Sequence, residues 1–174
     1  MDFMLNFEPP KLSKQINYRD KLLLVGSCFT EHIGNALREA KFSLLQNPNG
    51  ILFDPVSVCS SLLSYVQNKR YTESDLFQLN EVWNSWQHHS RFSNTDPEEA
   101  IRIINESQQQ AHEFLKTADW IIITLGSSFS YRLTKLPALV KTPTVIQDLQ
   151  DTPVANCHRA PAQWFNKHLL KINE

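Results

Sequence analysis

The sequence predicts an α/β fold built on a parallel sheet, and three observations carry that prediction. Leu22-Leu23-Leu24-Val25 and Trp120-Ile121-Ile122-Ile123-Thr124-Leu125 are nearly continuous apolar runs rather than alternating ones, which suits strands buried on both faces. A glycine follows each run, Gly26 and Gly126, in a chain with only four glycines; average usage would give about 12. Helical patterns alternate with the strand-like runs, as in parallel α/β sheets.

The elements follow in order. Residues 22–25 form the first strand. Ile33, Ala36, Leu37 and Ala40 fall at i, i+3, i+4 and i+7 and predict a helix over 31–41. Phe42–Gln46 is the second strand, leading through a short loop to Gly50. A second helix runs over Pro55–Val66, with Val56, Cys59, Leu62, Leu63 and Val66 on one face. Residues 70–94 are polar and aromatic, with Trp83, Trp86, His88, His89 and Phe92, and predict a short hairpin or excursion. Asp96-Pro97-Glu98-Glu99 supplies an N-cap, a proline at N1 and an acid three residues after the cap. The helix it opens carries an apolar stripe of Ala100, Ile101, Ile104, Ala111, Phe114, Leu115 and Ala118. The third strand is 120–125. Residues 133–160, with Pro137, Pro143 and Pro153 and no glycine, predict an ordered excursion over the strand ends, and Pro161 opens a fourth helix carrying Phe165, His168, Leu169 and Ile172. Right-handed crossovers put the three strands side by side and parallel, with the first in the middle.

Composition narrows the function. Leu, Ile, Val and Phe make up 50 of the 174 residues, enough for one domain over 1–174 and too many for a disordered chain. Lys+Arg 17 against Asp+Glu 18 gives net charge −1, so no surplus neutralises phosphates and no nucleic-acid partner is expected. Cys28, Cys59 and Cys157 show no CxxC spacing and read as reduced thiols. The N-terminus lacks a basic region and an apolar run, and no aliphatic run approaches a membrane span. The expected location is the cytoplasm, with no membrane partner. Neither G-x-x-x-x-G-K-[ST] nor G-x-G-x-x-G occurs, which argues against a phosphate loop. His88-His89, beside Trp83 and Trp86, lack a spaced carboxylate or cysteine partner and read as packing or surface residues. His32, His112 and His168 read as solvated helix residues. No metal or cofactor is expected.

In parallel α/β sheets, ligands bind beyond the carboxyl ends of the strands. Gly26-Ser27-Cys28-Phe29, Asn47-Pro48-Asn49-Gly50 and Gly126-Ser127-Ser128 should meet there, with Asn156-Cys157-His158 folding over them. Ser27 lies at a strand-to-helix turn. It reads either as a nucleophile beside backbone N–H groups or as a helix-capping serine. Cys28 reads as an activated thiol at a helix N-terminus or as a small core residue. Cys157 and His158 are adjacent, and adjacent side chains rarely aim at one atom.

Gly26-Ser27-Cys28-Phe29-Thr30 resembles the block that names the GSCFA family, with Thr where the name has Ala. Asn47-Pro48-Asn49-Gly50-Ile51-Leu52-Phe53-Asp54-Pro55, Trp83-Asn84-Ser85-Trp86 through Ser93, Thr124-Leu125-Gly126-Ser127 and Val154-Ala155-Asn156-Cys157-His158 resemble further blocks, in the family's order. That family is similar to the SGNH, or GDSL-like, hydrolases. The resemblance implies a flavodoxin-like, three-layer α/β/α fold and serine chemistry on acyl esters. It implies Ser27 as nucleophile and Gly50 as a backbone oxyanion donor. Gly126-Ser127-Ser128 falls where those hydrolases have Gly-x-Asn; Ser128 replaces the asparagine, and Asn156 is the alternative source of an amide. The Asp-x-x-His of those hydrolases is missing, because Phe29, Ser85, Trp86, Gln109, Ala155 and Phe165 precede the six histidines by three. The base is then expected outside the chain, which would correspond to the N-terminal half to two-thirds of a family member, or is His158. The expected function is hydrolysis of an ester or acetyl group on a small-molecule or carbohydrate substrate. A non-catalytic ligand- or partner-binding module is the alternative, and a thiol hydrolase on Cys28 a third reading. An open sheet edge is expected, covered by a second copy in a homo-oligomer or by further chain.

Overall fold

In the computed structural model, which describes residues 13–134 and 154–159, the run 22–25 becomes β1 (Lys21–Gly26). It is flanked in parallel by β2 (Ser43–Gln46) and β5 (Trp120–Thr124) in the order β2-β1-β5. The predicted central place of the first strand is what the structure has. Leu22, Leu23, Leu24 and Val25 are fully buried, and each such side chain contributes on the order of 1.5–3 kcal/mol.

The helices are α1 (Cys28–Glu39), α2 (Pro55–Gln67) and α3 (Pro97–Leu115). Asp54 caps α2, accepting from Ser57 N at 3.0 Å, and Asp96 caps α3, accepting from Glu98 N at 3.0 Å. Each has a proline at the helix start. Leu23 and Val25 pack on one sheet face with Val58, Leu62 and Tyr65 of α2 and Ala111 of α3. Gln46 lies level with Leu24 in the ladder, and its side chain meets Gly34 of α1. The first helix therefore covers the opposite face, giving the helix–sheet–helix layering of a flavodoxin-like α/β fold.

Two helices are rotated from the expected faces. The buried residues of α1 are Thr30 and Gly34, while Ile33, Ala36 and Ala40 are exposed. Gly34 allows the helix to sit close on Gln46, and that close approach, not the apolar stripe, fixes its orientation. In α2 the buried positions are Pro55, Val58, Cys59, Ser61, Leu62, Ser64 and Tyr65, and Val66 is exposed. Ser61 and Ser64 are tolerated inside because they donate to Val58 O and Ser61 O. Ser64 O also accepts from Gln108 Nε2 of α3 at 2.6 Å.

The excursion at 70–94 contains an antiparallel hairpin, β3 (Phe77–Leu79) and β4 (Val82–Asn84). Its neighbourhood forms a second cluster of Tyr71, Phe92 and Ile104. The segment read as one excursion over 133–160 begins within β6 (Phe129–Thr134), which pairs antiparallel with β7 (Val154–Arg159). The predicted helix from Pro161 lies outside the described residues. Among the described residues, β2 and β5 each pair on one side only, and no helix is long and apolar enough to cross a membrane.

Candidate functional site

The carboxyl end of β1 is held by two neighbours at once. Gly26 has φ +148°, and a Cβ there would lie 1.9 Å from Thr124 O; only glycine fits so close to β5. On the other side Asn47, fully buried with φ 43°, accepts from Gly26 N through Oδ1 at 2.9 Å. Asn47 N donates to Leu24 O at 2.8 Å, and its carbonyl accepts from Gly50 N at 2.8 Å and from the Arg91 guanidinium. Asn49 extends the same scaffold. Its Oδ1 accepts from Tyr65 OH at 2.9 Å and its carbonyl from His89 N at 2.8 Å.

Ser27 is the N-cap residue of α1, yet its hydroxyl makes no cap hydrogen bond. Its Oγ lies 3.1 Å from Thr124 Oγ1, and its N–H donates to Thr124 O at 3.1 Å and Oγ1 at 3.2 Å. Thr30 Oγ1 is hydrogen-bonded to the same Thr124 hydroxyl. The serine is 5% exposed.

Gly126 lies beside Ser27: a Cβ on it would be 3.2 Å from Ser27 Cβ and 2.8 Å from Phe53 Cδ1. The strap Ile51-Leu52-Phe53 crosses here. Leu52 N donates to Gly26 O at 2.9 Å, while Gly126 N and Ser127 N both donate to Phe53 O, at 2.9 and 3.0 Å. Gly50 packs on His89, whose Cβ would be 2.2 Å from a Gly50 Cβ. Ser27, Gly126 and the strap after Gly50 are thus brought to one sheet rim. An open cleft of about 340 Å³ lies alongside, lined by Phe53, Asp54, Trp86, His88, His89 and Ser127, among others.

Ser128 is exposed in the connection from β5 to β6. Asn156 and His158 belong to β7, opposite Arg132 and Ser130 in register. Cys28 is exposed, not a core residue; Cys59 is the buried thiol, and burial pushes its pKa up to about 11. His112 is not a solvated helix residue, since its Nδ1 sits 2.7 Å from Tyr65 O. His88 is half-buried, edge-on to Tyr71 and Phe92, with Nδ1 2.8 Å from Ser85 Oγ, and the loss of solvation there lowers its pKa to about 4. Among the described residues no cluster of His, Cys, Asp and Glu could hold a metal ion.

Sequence reasoning missed Thr124, Thr30, Phe53 and His89. The available signals were small: Thr124 is the one polar side chain in an aliphatic strand, and Thr30 is the departure from the family block.

Together these features define a mixed α/β protein with an open cleft at the carboxyl rim of a parallel sheet and a buried serine where strand turns into helix. The chain belongs to the GSCFA family, whose model matches residues 21–174. Comparison with curated proteins and with solved structures gives no match.

Proposed function

We propose that this chain is a serine hydrolase of the SGNH kind, acting on an ester or acetyl group with Ser27 as nucleophile. One observation carries the reading: Ser27 occupies the N-cap of α1 without using its hydroxyl to cap the helix. A serine kept for capping would point its oxygen at the N–H groups of the first turn; this one rests on another hydroxyl instead.

The backbone supports the same chemistry. Gly126 N–H and Ser127 N–H converge on one oxygen, that of Phe53, and two N–H groups aimed at one point suit a developing oxyanion. A substrate carbonyl entering from the cleft displaces Phe53 O and takes both. Gly50 N–H is turned back to Asn47 O, so its part requires the 47–50 turn to open. Ser27 Oγ attacks the acyl carbon while a histidine accepts its proton. The ester C–O bond breaks, the departing alkoxide takes that proton and leaves as the alcohol, and water then cleaves the acyl-Ser27 ester to release the acid. His158 is the candidate base within the chain, and Asn156 and Ser128 are the candidate side-chain donors. A carbohydrate-linked acetyl ester is the substrate class to test first.

The burial of Ser27, with a threonine on its hydroxyl, favours a second reading, a ligand-binding module that has kept the pocket without a base. The two separate on one experiment. The chain is treated with a fluorophosphonate probe and assayed on p-nitrophenyl acetate, alongside Ser27→Ala and Cys28→Ala. Covalent labelling at Ser27, with turnover lost in Ser27→Ala and kept in Cys28→Ala, supports the hydrolase. Absence of both labelling and turnover, in the wild-type chain and in a version extended C-terminally, supports the module, and loss only in Cys28→Ala supports a thiol enzyme.

A further inference from the structure

We infer that Thr124 is a positioning residue for Ser27, and that its hydroxyl holds and polarises the serine oxygen. The inference rests on the hydrolase reading above. Its starting point is proton counting at Thr124 Oγ1, which has two lone pairs and one proton. Three polar atoms surround it: Ser27 N, Ser27 Oγ at 3.1 Å and Thr30 Oγ1.

Ser27 N–H can only donate, so it fills one lone pair. Thr30 is completely buried and its hydroxyl has Thr124 Oγ1 as its partner. When Thr30 donates, the second lone pair of Thr124 is filled and its own proton is left for Ser27 Oγ. This arrangement satisfies all of Thr124's capacity and leaves the Ser27 proton directed elsewhere, where a base can take it. The opposite direction, Ser27 to Thr124 to Thr30, spends the serine proton on the threonine and leaves the buried Thr30 proton without a partner. Thr30 is fully enclosed while Ser27 keeps 5% of its surface, so burial favours the first arrangement, which leaves the unpaired proton on the less enclosed of the two hydroxyls.

The consequence is chemical. As the serine proton departs, negative charge grows on Oγ, and a donor already in place stabilises it without reorganisation. Thr124 also fixes where Oγ stands, because the same residue holds the Ser27 N–H through both its carbonyl and its hydroxyl. The contact spans 97 residues of sequence, so it is tertiary structure, not local turn geometry, that places the nucleophile.

The test compares wild type, Thr124→Val and Thr124→Ser, each with and without the C-terminal extension, in p-nitrophenyl acetate hydrolysis and in fluorophosphonate labelling of Ser27, with a thermal melt on each. Loss of one hydrogen bond to a developing charge predicts a fall in kcat and labelling rate of about tenfold or more in Thr124→Val. KM should stay unchanged, and Thr124→Ser should lie within about threefold of wild type. A folded Thr124→Val that hydrolyses and labels at the wild-type rate overturns the inference. So does a change confined to KM. If Thr124→Val does not fold, Thr30→Val decides: a fall in kcat supports the inference and wild-type kcat overturns it. Absence of any Ser27 labelling in the wild-type chain and in its extended version instead overturns the hydrolase reading, and this inference with it. Labelled wild type with an unaffected variant overturns this inference alone.

Discussion

Replacing Gly26 by alanine puts a methyl group 1.9 Å from Thr124 O, 2.8 Å from Thr124 C and 2.8 Å from its Oγ1. The obstacle is strand backbone, so no side chain can swing away to make room. Relief requires β1 and β5 to part by more than an ångström at their carboxyl ends, which breaks the 3.1 Å bond from Ser27 N to Thr124 O. The φ of +148° adds a conformational cost for any residue with a Cβ, about 1–2 kcal/mol. A buried hydrogen bond lost with its partners unsatisfied adds about 1–3 kcal/mol. The sum, about 2–5 kcal/mol, is a large share of a typical domain's 5–15 kcal/mol. At about 2–4 °C per kcal/mol for a chain of this size, Tm should fall by about 4–20 °C. Gly126→Ala is the internal comparison. Its Cβ would meet the edge of the half-exposed Phe53 ring at 2.8 Å, and that ring can rotate, so its melt should stay much closer to wild type. Thermal melts followed by circular dichroism decide it. A Gly26→Ala protein melting within about 2 °C of wild type, or below Gly126→Ala by no margin, would refute the claim that backbone contact with β5 dictates this glycine.

Two further outcomes follow from groups away from the serine. His88 has its pKa lowered from 6.5 to about 4 by burial, so the unfolded chain binds its proton first as pH falls. The stability this histidine contributes is complete above about pH 6.5 and is lost progressively down to about pH 4, a swing on the order of 2–3 kcal/mol. Urea melts at pH 7.5 and 4.5 should show that swing in wild type and a smaller one in His88→Phe; equal swings would contradict it. Tyr65→Phe removes the hydroxyl that donates to Asn49 Oδ1 at 2.9 Å inside the protein. It should cost about 1–2 kcal/mol in urea denaturation, and an unchanged midpoint would show that water replaces the hydroxyl.

The central strand was legible because burial on both faces writes itself into composition: Leu22–Val25 is continuously aliphatic and fully buried. The run at Ile121–Ile123 marked a strand but not its burial, since β5 lies at the edge of the described sheet with Ile121 exposed and Ile122 and Ile123 half-buried. The Asp96-Pro97 pair marks its helix start. The helix faces were not legible where small or polar residues set the contact. Thr30 and Gly34 carry no hydrophobic signal, yet they are what α1 presents to the sheet. Gln108 and Ser64 look like surface residues and are buried because they satisfy each other. At the site, the convergence of Ser27 and Gly126 could be read from strand ends, since parallel topology brings those ends together. The partner of Ser27 Oγ could not, because nothing in sequence spacing links residues 27 and 124. The partial burial of His88 was likewise hidden, since adjacent histidines in a polar stretch give no sign that one of them packs edge-on to Tyr71 and Phe92.

The strand order also sets when this site can come into being during synthesis. Lys21 N meets Asp119 Oδ2 across 98 residues, and Ser27 meets Thr124 across 97. The central strand β1 pairs on one side with β2, and about a hundred residues must follow it before the strand that covers its other side has been made. At about 5–20 residues per second, that interval lasts roughly 5–20 s, during which Leu22–Val25 offers an unpaired apolar edge of the kind that aggregates. Non-local parallel pairing of this sort folds slowly. The serine turn is therefore assembled only as β5 docks on β1.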